Sequence, residues 1–531
     1  MAAETRGRAG HNMRIARNTA IFSIATGLSR IAGLVREIVA SSYFGTSGPF
    51  SAFTIAFQIP NLVRNLFADA ALSAAFVPVF TELLEQGRRR EAFSLASTFT
   101  FVIVGALGTI SAAFVIAAPY VMPLFTGGEF TRELDDLTSG LAQVLFPIVL
   151  LLGVNGLLVG ILNAYDHFTI PALAPLVWNV VIIVLLVALR PLFEGPNELY
   201  AYAIGVLAGT VVQLAMAIPV MRRLDFKITP TFDLKDPRVK RVMALMLPVT
   251  LSLGLINFNL LINSVLASEV SVGAPRAIDA AFRIYMLPQG MFSVAVATVL
   301  FPALSRLAVR RDTDGLRGLT ATGMRQIFLL LIPAAACTLA LAEPITRLVY
   351  ERGEFGAGST DAVAEALFWF SFSLPFAGAN LLLTRTFFSL QRPWIPTVLG
   401  GATLLLNVVV AVALYEPFGI AGIVIGTAAA SAAMTLGQAH YLRRELAGRL
   451  EGGRTIAAIV RMTAAAGALG GVAYLVHWVL DDVLGRSLPA QAASVGTALT
   501  AGLLVYAGAV LLMRLPEALQ IERLVSGRLR R

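Results

Sequence analysis

Four arginines stand where a membrane helix would be expected to carry none. Arg30 lies about eleven residues into the first long apolar stretch, roughly 16 Å from its start at 1.5 Å per residue. Arg36 follows on the same stretch, Arg64 sits near the middle of the second, and Arg283 about a third of the way along the eighth. A guanidinium group is a planar fork that donates two parallel hydrogen bonds and keeps its charge at any physiological pH, so it suits phosphate. Near the centre of a bilayer each arginine costs roughly 2.5–3.5 kcal/mol, and four threaten on the order of 10 kcal/mol unless water or counter-charge receives them. The acids within reach are Glu37 beside Arg36, Asp69 beyond Arg64 and Asp279 one turn before Arg283. Pairing inside the bundle would use those three and still leave a positive surplus. A central aqueous cavity that attracts anions accounts for all four, and arginines drawn from helices 1, 2 and 8 suit a diphosphate held between two lobes. Pro60 and Asn61 before Arg64, and Pro288 after Arg283, interrupt helical hydrogen bonding. Such breaks are tolerated where backbone lines a cavity, and they also serve as hinges or packing kinks.

The elements that must position these residues are membrane helices. The chain has 531 residues, 57% hydrophobic and only 14% charged, against roughly 25% charged in a soluble domain. Apolar stretches long enough to span a bilayer recur from about Asn18 to about Met513, and fourteen are expected: 19–44, 50–84, 92–118, 137–163, 168–190, 199–222, 242–268, 275–306, 317–342, 361–388, 394–415, 419–442, 456–478 and 489–513. The basic first 17 residues mimic the start of a secretory signal, but the stretch that follows is too long and lacks a small-residue cleavage pattern, so it reads as a retained first helix. With fourteen crossings, Arg14 and Arg17, Arg88–Arg90, Arg222–Arg241, Arg306–Arg317, Arg392, Arg443–Arg454 and the tail arginines all fall on one side. The positive-inside rule makes that side the cytoplasm and puts both termini there.

A net charge of +9 could suggest nucleic acid, but the cations sit in the breaks between apolar segments, where topology explains them. The single cysteine, Cys337, lies in an apolar run and excludes an intramolecular disulfide. His167, His440 and His477 fall near helix ends with no carboxylate or thiol cluster beside them in sequence, so no metal site and no cofactor is expected. There is no GxxxxGK[ST] motif and no credible nucleophile or metal motif, so a transporter without its own ATPase is expected rather than an enzyme.

An internal repeat organises the helices. The run from Phe146-Pro147 through Ile170-Pro171 to Asn179 resembles that from Leu374-Pro375 through Ile395-Pro396 to Asn407. Gly205, Gly209 and Thr210 echo Gly422, Gly426 and Thr427, and Ile59-Pro60 with Phe76-Val77-Pro78 parallels Leu287-Pro288 with Phe301-Pro302. Six crossings separate equivalent helices, so the copies are parallel repeats, an arrangement associated with transporters that rock two bundles about a site. The expected layout is an N-terminal tail (1–18), an N-lobe (19–224), a basic cytoplasmic linker (225–241), a C-lobe (242–446), two further helices (455–513) and a basic tail (514–531). The glycine pairs are read as close-packing positions.

Ser29-Arg30-Ile31-Ala32-Gly33-Leu34-Val35-Arg36, Ala56-Phe57-Gln58-Ile59-Pro60-Asn61-Leu62-Val63-Arg64 and Phe67-Ala68-Asp69 through Phe76-Val77-Pro78 resemble the N-terminal signature of the MurJ/MviN lipid II flippases. Leu261-Ile262-Asn263-Ser264, Leu300-Phe301-Pro302 and Val349-Tyr350-Glu351-Arg352-Gly353 support the resemblance, which runs through about 500 residues. It implies the all-α multidrug/oligosaccharidyl-lipid/polysaccharide exporter fold, with two six-helix lobes and two terminal helices forming a groove for a lipid tail. It also implies alternating access in the bacterial cytoplasmic membrane, lipid II as cargo, and contact with membrane lipids and cell-wall synthesis proteins. Arg30, Arg36, Arg64 and Arg283 match the family's cavity arginines, with Ser29, Asn61, Asp69 and Asn263 in support. Ser51 and Asn65 depart from charged residues common in the family, and Phe282 and Met286 from acids that some members carry, which puts a carboxylate gate or ion-coupling scheme in doubt and leaves the energy source open. An exporter of another undecaprenyl-diphosphate-linked glycan and a transport-inactive cell-wall scaffold remain as alternatives.

Overall fold

The structure is a computed structural model that describes residues 25–67, 69–165, 167, 169–224, 232–446, 448 and 450–519, without the side chains of 64–75, 245, 247–249, 251–253 and 256–257. Among the described residues there is helix and no strand. In hydrocarbon each helix satisfies its backbone internally, and an open sheet edge could not. The helices are α1 (25–44), α2 (Gly48–Phe67), α3 (Asp69–Glu85), α4 (Arg89–Val121), α5 (Arg132–Leu145), α6 (Ile148–Ala164), α7 (Thr169–Leu189) and α8 (Leu199–Arg223). There follow α9 (Pro237–Val270), α10 (Ala274–Pro288), α11 (Val294–Val309), α12 (Thr313–Ala340), the short α13 (Ala342–Tyr350), α14 (Ala357–Ser389), α15 (Trp394–Glu445), α16 (Gly452–Leu484) and α17 (Leu488–Leu512). Exposed apolar side chains such as Leu405, Val409 and Leu504 stud the outside of these helices, a surface suited to lipid rather than water.

Ten helical stretches among the described residues are long and apolar enough to cross a membrane. One of them, α15, is two spans: its 52 residues are interrupted at Gly419, whose φ of 55° and ψ of −129° lie outside the helical region. The expected spans 19–44, of which 19–24 lie outside the described residues, 50–84 in α2–α3 and 242–268 in α9 complete the fourteen.

Two expected spans are broken. Residues 137–163 form α5 and α6, separated at Phe146-Pro147, because proline brings no N–H and its ring clashes with the preceding turn. Pro375, its counterpart in the repeat, stays inside the continuous α14. Residues 275–306 form α10 and α11, joined by a π turn at Gln289–Ser293 directly after Pro288. Short π segments of this kind are rare and frequent at functional sites.

The chain divides into two compact units, Met1–Leu261 and Ile262–Arg531, with the division inside α9. The first unit has a continuous apolar core in which Phe53 stacks on Tyr202 with ring centroids 4.3 Å apart, and Phe114 on Phe146 at 3.7 Å. In the second, Phe282, Tyr285 and Phe370 cluster, and the Tyr506 hydroxyl donates to the Leu329 carbonyl at 3.0 Å, tying α17 to α12.

The repeat recurs in the hydrogen bonding of each unit taken by itself. In the first, Asn179 on α7 donates to the Ser29 carbonyl on α1 at 3.5 Å, and Thr210 on α8 accepts from the Trp178 indole at 3.1 Å. In the second, Asn407 donates to Asn263 on α9 at 2.8 Å, and Thr427 donates to Asn407 at 3.3 Å. The glycine pairs pack as expected. A Cβ on Gly205 or Gly209 would lie 3.2 Å from the Ile182 carbonyl or 3.1 Å from that of Trp178, and one on Gly426 would lie 2.9 Å from that of Asn407. Gly422 is packed still more tightly, against the Leu414 carbonyl.

Candidate functional site

Arg30 and Arg36 share α1 but not a face. Six residues at about 100° each leave them about 120° apart around the helix, and the structure treats them accordingly. Arg30 is exposed and makes no hydrogen bond or ion pair among the described residues, while Arg36 is 9% exposed. The Arg36 guanidinium lies 4.9 Å from the centroid of the Trp178 ring and 3.7 Å from Glu37. Because Thr210 holds the Trp178 indole, three helices cooperate in seating this one cation. Its Nε makes no hydrogen bond among the described residues. Ser29, half-buried, supplies the carbonyl that Asn179 grips, and Gly33 lets α1 approach Asn179, where a Cβ would stand 3.7 Å from the amide oxygen. Asn61 is half-buried on α2, one position after Pro60. Arg64 on α2 and Asp69 on α3 fall within helix, but their side chains lie outside the described residues.

In the second unit, Arg283 on α10 donates through Nε to Asp279 at 2.9 Å, the pairing its spacing suggests, with the arginine side chain 36% exposed. The same carboxylate oxygen accepts from Arg276 Nη1 at 2.9 Å. Arg276, 1% exposed, was not singled out from the sequence; its place three residues before Asp279 was the available signal. One carboxylate oxygen thus accepts from two arginines. Arg283 stands about a turn and a half before the π turn, in a helix whose following residues Met286 and Leu287 are exposed. Phe282 stacks on Tyr285, whose hydroxyl accepts from Ser373 at 3.0 Å.

Asn263 is 3% exposed and closes a ring of hydrogen bonds: it donates to Thr427 at 3.0 Å, accepts from Asn407, and Thr427 donates to Asn407. This ring joins α9 to both halves of α15. The structure therefore gives Asn263 a stitching position, parallel to that of Ser29 and Asn179 in the first unit.

A polypeptide of apolar helices in two units, with duplicated asparagine and threonine stitches and intramembrane arginines, has the fold of the MOP transporters. A solved structure titled "Lipid II flippase MurJ, inward closed conformation" superposes with a TM-score of 0.74 at 23% identity, over 93% of this chain and 99% of that one. An inward-facing MATE multidrug-resistance transporter of the MOP superfamily gives 0.69 at 17% identity, over 79% and 94%. The profile of the family described as "Lipid II flippase MurJ" matches residues 40–488. Lipid II flippase MurJ of Burkholderia cenocepacia is 33% identical over 347 residues, 64% of this chain and 67% of the relative. Probable lipid II flippase MurJ of Treponema pallidum is 30% identical over 433 residues, 80% of this chain and 81% of the relative. The chain belongs to the MurJ lipid II flippase family, and it is a multi-pass membrane transporter.

Proposed function

We propose that this protein carries lipid II from the cytoplasmic to the outer leaflet of the bacterial cytoplasmic membrane by alternating access, with both termini in the cytoplasm. The family match over residues 40–488 carries the reading. Arg30, exposed and uncommitted to any described partner, is the first ligand for the diphosphate, joined by Arg64 and by Arg283, whose side chain is 36% exposed. Arg36 acts from behind: seated on Trp178, it holds α1 in place and adds positive potential. The arginines replace hydration that the headgroup loses on entry, while the polyprenyl tail stays in lipid along the helices of 455–513. Outward movement of uncompensated negative charge is favoured by an inside-negative potential at about 2.3 kcal/mol per charge per 100 mV. With no GxxxxGK[ST] sequence, this chain hydrolyses no nucleotide through such a loop.

The test is complementation of cells depleted of their own lipid II flippase, comparing wild type with Arg30→Ala, Arg64→Ala and Arg283→Ala at matched membrane expression. Rescue by wild type and failure of the variants is the expected result. Failure of wild type in a host of matching precursor chemistry would favour another undecaprenyl-diphosphate-linked glycan as cargo. Rescue by every variant would remove the arginine mechanism.

A further inference from the structure

A cavity of about 550 Å³ lies within the second unit, where the end of α12, the short α13, the first part of α14 and the last part of α16 meet. That volume is in the range of roughly 300–1,000 Å³ typical of small-molecule sites. Buried within its lining are Arg347 and His477, 4% and 7% exposed. Arg347 donates to Asp481 at 2.8 Å, lies 3.5 Å from Glu343 and 3.5 Å from His477 Nε2, while the other ring nitrogen of His477 meets Ser494 at 2.8 Å. The Nε of Arg347 has no hydrogen-bond partner among the described residues and is itself shut off from solvent, so this arginine acts on the cavity through its charge. Glu343, Glu365, Asp482 and Arg486 are exposed lining residues. Four acids against two arginines make the lining net acidic. Tyr474 and Trp478, one turn apart on α16, are 59% and 63% exposed, and Phe368 of α14 joins them.

We propose that this cavity binds the headgroup of an ammonium-bearing zwitterionic phospholipid, of the phosphatidylethanolamine type. Excess carboxylate and three aromatic rings favour an ammonium group, and the exposed Arg486 guanidinium, backed by the buried charge of Arg347, favours the phosphate ester beside it. Exposed Tyr and Trp side chains mark the level at which headgroups meet hydrocarbon, so acyl chains can remain in the bilayer while the headgroup enters. A bare metal ion is a poor occupant, since no group of three His, Cys, Asp or Glu side chains able to hold one occurs among the described residues. Given the proposed topology the lipid comes from the outer leaflet; binding itself depends on neither that topology nor the cargo.

Native mass spectrometry of the purified full chain, titrated with phosphatidylethanolamine, phosphatidylglycerol or soluble glycerophosphoethanolamine, tests the site. Wild type should retain phosphatidylethanolamine over phosphatidylglycerol by about fivefold or more, the scale of one or two exposed ion pairs, and the surface variant Glu343→Gln with Glu365→Gln should lose that preference. The same double variant should still rescue flippase-depleted cells, which separates this site from cargo binding. Equal retention of the two lipids, an unchanged preference in the double variant, or competition by the soluble headgroup at the same concentration as the lipid would overturn the proposal.

Discussion

Substituting Arg30 and Arg36 in turn separates recognition from support. Arg30 is exposed and holds nothing described, so Arg30→Ala should change stability by no more than about 0.5 kcal/mol while abolishing rescue. Arg36→Ala removes a buried cation from Trp178 and Glu37 and should lower stability by about 1–2 kcal/mol, read as a lower unfolding midpoint in detergent. Asn263→Ala opens the ring it shares with Asn407 and Thr427, leaving a buried amide to lose its bond at a cost of about 1–3 kcal/mol in the same assay. The arginines were legible because a charge in an apolar run is conspicuous whatever its surroundings. Their different burial was not, because it depends on which face of α1 meets Trp178, a residue far away in the chain. Arg347 and His477 were less legible still: 130 positions apart, they have no common pattern until α13 and α16 meet.

Element boundaries followed from apolar length, and the fourteen spans needed no tertiary information. Breaks within spans did. Pro147 divides α5 from α6 while Pro375 leaves α14 continuous, so proline alone does not decide; the surrounding packing does. Glycine positions carried better, since a missing Cβ has one clear use at a helix crossing. Gly426→Ala should destabilise by about 1–3 kcal/mol, because the new methyl would sit 2.9 Å from the Asn407 carbonyl, and backbone cannot rotate away as a side chain can. The start of α9 offers a separate test in solution. Arg238 bridges Asp236 and Glu91, and Glu91 also pairs with Arg88 at 2.6 Å, so the last linker residues are docked on the start of α4. Hydrogen bonding from Arg88, then from Arg238, holds the Glu91 carboxyl below its ordinary range, and Arg238 does the same to Asp236. Carboxylates whose folded pKa is lowered contribute stability above their unfolded value and lose it as pH falls through the folded one. A fluorophore at Lys235→Cys should therefore keep steady anisotropy down to about pH 5 and loosen below about pH 4, and Glu91→Gln should remove part of that change.

At the scale of the molecule, both units use the same device in different residues. An asparagine on the fifth helix of each copy reaches the first, and a threonine on the sixth joins in, through Trp178 in one case and Asn407 in the other. The duplication was visible in the order of Pro, Asn and Gly landmarks; the exchange of partners was not, because substitutions at both ends of a hydrogen bond erase its sequence trace. If each unit moves as a body, helices within a unit must hold together throughout the cycle. Gly209→Val, which would press against the Trp178 carbonyl, should then impair rescue even at matched expression, although no ligand is touched. The two copies also differ in slack. Between α7 and α8 the chain takes nine residues, 190–198, braced by Arg190 and Glu198, whereas the corresponding helices of the second copy turn at Gly419 and press together at Gly422. An epitope tag or fluorescent reporter spliced in at 193–196 would hang from a loop able to lengthen, while the same cargo at 417–421 would pry a hairpin apart; the first is the place to attach a handle for purification or imaging.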